Sequence, residues 1–120
     1  MDSAELRSRT KALAVTVIRF VEGLKRNPAS DVVGKQLIRS ATSVAANYRA
    51  ACRARSKADF ANKMGIIEEE ADETLFWLEM LVECEKAKND DVKSMMDEAE
   101  QLLRIFAASR MTAKANAASK

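Results

Sequence analysis

Apolar residues recur every three or four positions through four long stretches of this chain, and the recurrence breaks in only three places: Asn27-Pro28, Arg55-Ser56 and Asn89-Asp90. Each break joins residues that stop or cap helices. Pro pushes the residue before it out of helical geometry, and Ser, Asn and Asp cap the helix that follows. The pattern predicts an all-α chain of four helices. Turns of a few residues make sequential helices antiparallel neighbours, so the expected architecture is an antiparallel up-down-up-down four-helix bundle. With 120 residues, 3 Gly and 1 Pro, the chain has the size of one domain, residues 1–120, and lacks the turn residues of a sandwich or barrel.

The first helix is expected over about 2–26, capped by Asp2 or Ser3, with Leu6, Leu13, Val17, Phe20, Val21 and Leu24 on its apolar stripe. The second, about 31–54, starts at Ser30 or Asp31 and carries many small apolar-side residues, which let helix axes approach closely. The third, about 57–88, is capped by Ser56, and the fourth covers about 91–109. The tail 110–120 is expected to fray. Cys52 and Cys84 fall on apolar sides and are expected to be core thiols.

The chain has no His. That excludes Ser-His-Asp and Cys-His catalysis, His-ligated zinc and Glu-x-x-His di-iron sites. The two Cys stand 32 positions apart with no C-x-x-C pair, so no zinc or thioredoxin-like site is supported. No cofactor and no small-molecule substrate is indicated. The start of the chain shows no signal peptide and no apolar run reaches membrane-spanning length, so a cytoplasmic protein with no membrane role is expected.

The net charge of +2 conceals a polarised chain: +3 over residues 1–27, +5 over 28–57, −6 over 58–88 and zero over 89–120. On the second helix Lys35, Arg39, Arg49 and Arg53 lie within about 40° of a common line opposite the apolar side, and Lys57 continues it. This ridge could track phosphates of RNA or DNA, or it could be a solvated face that pairs with acidic residues of the third helix. No aromatics interleave with it, so base stacking is not indicated.

The third helix carries Glu68, Glu69, Glu70, Asp72 and Glu73. Glu69 and Glu73 share a face, but no partner group for metal or acid-base chemistry accompanies them. A solvated or intersubunit acidic face is the simpler reading. The same helix is apolar on too many sides for a lone bundle. Phe76 and Met80 lie about 160–200° from Leu78, with Trp77 between. Phe76, Trp77 and Met80, with Glu69 and Glu73, are the candidate oligomer interface.

The stretch Gly34–Leu81 contains Gln36-Leu37, Arg39-Ser40-Ala41, Ser43-Val44, Ala46-Asn47, Arg53, Ser56, Asp59-Phe60 and Glu73-Thr74-Leu75. In this pattern it resembles the bacterial four-helix-bundle family first associated with intervening sequences in 23S ribosomal RNA genes. The resemblance implies a cytosolic bundle that assembles into a ring-like pentamer, with no enzymatic activity. It extends to related accessory proteins of diversity-generating retroelements, which are basic pentamers that engage nucleic acid. Where many members read Asn-Ile-Ala-Glu-Gly, this chain reads Asn47-Tyr48-Arg49-Ala50-Ala51. Three functions are therefore on the table: a homo-oligomeric scaffold that binds nucleic acid, a protein-interaction module without nucleic acid, and a metal-dependent enzyme using Glu69 and Glu73.

Overall fold

A computed structural model describes residues 1–118. The four helices are α1 (Ser3–Glu22), α2 (Pro28–Ala51), α3 (Lys57–Glu83) and α4 (Asn89–Ala118). The N-termini of α1, α2 and α3 are capped by side chains. Asp2 accepts the Glu5 amide at 2.8 Å, Asn27 accepts that of Ser30 at 3.0 Å, and Ser56 accepts that of Asp59 at 3.0 Å. Orphan first-turn amides are thereby paired, each cap being worth roughly 1 kcal/mol.

Several helix ends differ from the sequence expectation, and each difference has a local cause. The cap of α2 is Asn27, with Pro28 as the first helical residue, and not Ser30 or Asp31. Pro suits that position because its missing N–H would be unpaired there anyway. Since Asn27 must be extended to cap, α1 ends earlier than expected, at Glu22, and Gly23–Arg26 make the turn. Between α3 and α4 the Lys86 amide bonds Leu81 O at 2.8 Å and the Glu85 amide bonds Val82 O at 3.0 Å, with Glu85 at φ 60°. This left-handed cap closes α3 at Glu83, short of Lys88.

The expected frayed tail is instead helical to Ala118; Ser119 and Lys120 lie outside the described residues. Arg110 explains this. Its guanidinium pairs with Glu68 of α3, and its stem passes over Gly65, where a β-carbon would meet Cδ at 3.7 Å. Ala113 is buried a turn further on, and the Ala-rich sequence favours helix. The cysteines also depart from expectation. Both are exposed, Cys52 as the C-cap of α2 and Cys84 as the C-cap of α3. They lie on the apolar side by angle, but the helices end there and nothing packs beyond them.

Sequential helices pack side by side. α3 against α4 is the most extensive pairing, followed by α2–α3 and α1–α2, while α1–α4 is the slightest. Val17, Leu37, Val44, Met64, Ile67, Leu78, Leu81, Val92, Leu102 and Phe106 fill the centre. Of the small residues expected to draw α2 inward, Ala41 and Ala51 are buried, and Gly34 is buried as well. Ser40 and Thr74, fully buried, bond across the α2–α3 seam at 3.0 Å. That bond sets the antiparallel register and leaves neither hydroxyl unpaired. The α1–α4 seam is held by Arg9, whose Nε reaches Glu98 at 2.9 Å and whose Nη2 reaches Gln101 at 3.0 Å.

Candidate assembly face and basic ridge

Lys35, Arg39 and Arg49 are exposed along α2, whereas Arg53 is exposed in the turn beyond it, because α2 ends at Ala51 and not at 54 as expected; Lys57 is the first residue of α3. They do not form one continuous cationic ridge. Arg39 turns toward α3, where Nη1 meets Glu70 Oε2 at 2.9 Å and Nη2 meets Glu73, while Nε bonds Gln36 at 3.2 Å. Arg39 is thus a clamp between helices, and the hydrogen bonds it donates to Glu73 and Glu70 hold its guanidinium even more firmly protonated than usual. Lys35 is left more than three turns from Arg49. Arg49, Arg53 and Lys57 remain together at the end of the bundle, joined by Arg55 of the intervening turn. Arg55, in the turn between the helices, is not among the residues that helical spacing brings onto the ridge. None of these four makes an ion pair among the described residues.

The Arg39 clamp continues into α3. Glu73 Oε1 also accepts the Trp77 indole N–H at 3.1 Å. Bonds first from Arg39 and then from Trp77 hold the Glu73 carboxyl below the usual carboxylate range. Trp77 rests half-buried against the edge of the core, and Phe76 stands edge-on to it, centroids 4.8 Å apart at 73°. Phe76 is 47% exposed, while Met80 is half-buried. Of the expected interface residues, Phe76, Trp77 and Met80 therefore share one side of α3, and Glu73 braces the indole. Glu69 projects to solvent.

Two further large apolar residues of α2 and α3 are exposed that the sequence pattern did not single out. Ile66 of α3 is 46% exposed and Val32 of α2 is 62% exposed. The signal for Ile66 was present: of two adjacent isoleucines on a helix, 100° apart, only Ile67 can face the core. Asn47 is half-buried and bonds Ser43 O and Oγ, both at 2.9 Å, which accounts for it structurally. Among the described residues no group of three or more Cys, Asp or Glu is placed to hold a metal ion, and no helix is long and apolar enough to cross a membrane.

The fold and these surfaces define a small antiparallel helical bundle whose distinctive chemistry lies on its outer faces. The chain belongs to the 23S rRNA-intervening sequence protein family, whose model matches residues 3–108. A solved structure from Bacteroides thetaiotaomicron VPI-5482, described as a protein of unknown function from the S23 ribosomal protein family, is similar with a TM-score of 0.85 and 30% identity. The match covers 92% of this chain and 99% of that one. Neither description names an enzymatic activity. No curated protein matches the chain.

Proposed function

We propose that the protein is a non-enzymatic, cytoplasmic assembly unit that self-associates through the outer side of α3. The family resemblance points to a pentameric ring. The observation that carries this reading is the Phe76–Trp77 pair. A phenyl ring 47% exposed and held edge-on against a braced indole loses little freedom on binding, and rigid aromatics of this kind anchor interfaces. The −6 charge of residues 58–88 against +5 over 28–57 suits head-to-tail contacts between opposite faces of neighbouring subunits. In that assembly Arg49, Arg53, Arg55 and Lys57 form a basic patch that a nucleic-acid backbone neutralises.

Light scattering tests the assembly. The expected mass is severalfold above the 13.3 kDa monomer, falling in Phe76→Asp; a wild-type monomer at micromolar concentration rejects the reading. Gel shifts with RNA and DNA test the patch. Arg49→Glu/Arg53→Glu/Lys57→Glu is expected to abolish a salt-sensitive shift, and unchanged retention rejects nucleic-acid binding there. The engagement of Arg39 by Glu70 and Glu73 favours a second reading, a protein-interaction module without nucleic acid. Pull-downs with and without nuclease separate the two.

A further inference from the structure

Where α2 stops, α3 starts and α4 runs past both, the bundle end holds an open cleft of about 770 Å³. That volume suits a small organic ligand. Tyr48 and Phe60 line its inner part, and small α4 residues, Ala108 and Thr112 among them, form the opposite wall. Much of that wall lies beyond residue 108, outside the residues the family model matches, so the cleft depends on the C-terminal part of α4.

The lining has a consistent chemical character. It includes Arg55 and Lys57 but no Asp or Glu. Neither cation is ion-paired among the described residues. The cleft also abuts the N-terminus of α3, where the helix dipole adds partial positive charge. Tyr48 is only 5% exposed, with its ring against Phe106 at 5.6 Å, yet its hydroxyl bonds no oxygen or nitrogen of the described residues. The Cys52 thiol beside it is a poor partner. A phenol buried through its ring but with its hydroxyl not sealed from the cleft, two cations without ion pairs and an apolar wall converge on one space.

We propose that this cleft binds a small amphipathic anion, an aromatic carboxylate or sulfonate. Its apolar body lies between Phe60 and α4, and its charged group meets Lys57, Arg55 and the Tyr48 hydroxyl. The inference does not depend on self-association.

The test uses the full chain and 1-anilinonaphthalene-8-sulfonate. Fluorescence titration is expected to saturate at one probe per chain. Lys57→Glu is expected to weaken binding about tenfold or more; Glu suits the first turn of a helix, so the fold is retained. Ala108→Trp, which fills the cleft from an exposed position, is expected to abolish binding, with thermal melts confirming that both variants fold. The probe should also slow alkylation of Cys52, which lines the cleft, while leaving Cys84 at the other end of α3 unaffected. Non-saturating binding, unchanged affinity in both variants, or loss of binding in Phe76→Asp instead would each overturn the proposal.

Discussion

A β-carbon built on Gly34 of α2 would stand 2.8 Å from Val21 Cγ1 of α1, closer than carbon atoms pack. This contact sets how near the two helices lie. Gly34→Ala gains about 1 kcal/mol of helix propensity but forces Val21, stiff at χ1, or the helix itself to move. Overpacking of this kind costs roughly 1–3 kcal/mol. The expected result is a net loss of stability in urea melts, with Val21→Ala in the same chain recovering most of it.

Glu85 caps α3 at φ 60°, a left-handed conformation that glycine adopts without a steric penalty. Glu85→Gly is expected to raise stability by about 0.5–1 kcal/mol, whereas Glu85→Val should lower it. Melting temperatures of the three proteins would check this; equal values would mean that the turn relaxes around any side chain.

The Glu73 carboxyl, bonded by Arg39 and Trp77, titrates below its ordinary value of 4.5. As pH falls, the unfolded chain takes up this proton before the folded one does. The stabilisation is therefore present above about pH 4.5 and is lost as pH drops through the folded value. Urea melts of wild type and Glu73→Gln should differ by a constant amount from neutral pH to about 4.5, then converge. A gap that persists in strong acid would assign the contact to neutral hydrogen bonding.

Tyr48 shows the opposite sign at the other end of the scale. Burial chiefly, with the Cys52 thiol second, pushes its phenol up to about 12 from an ordinary 10.0. The unfolded chain loses the proton first on the alkaline side, so stability is intact below pH 10 and falls between pH 10 and 12. At about 1.4 kcal/mol per pH unit and with solvent screening at the hydroxyl, the loss relative to Tyr48→Phe is on the order of 1–2 kcal/mol. Parallel pH profiles for the two proteins would place the phenol in water.

The helices were legible in the sequence because period and caps agreed: the Leu6, Leu13 and Val17 stripe is buried, and Ser56 caps α3 as its hydroxyl predicts. What periodicity cannot convey is how far a long side chain swings. Arg39 lies on the solvent side of α2 by angle, yet its guanidinium reaches α3, which turns a supposed ridge residue into a brace. Nor does an angle indicate where a bundle ends, so Cys52 and Cys84 pointed inward on a helical wheel and outward in space. Helix in the tail is not legible in local sequence because its anchor, the Arg110–Glu68 pair, joins residues 42 positions apart.

The slight α1–α4 seam has a kinetic consequence. Every large helix contact joins elements consecutive in the chain, so little loop entropy opposes assembly and rapid folding is expected. The α3–α4 hairpin is the natural nucleus. The first helix, tied on one flank mainly through Arg9, is the element that peels away first in native-state exchange.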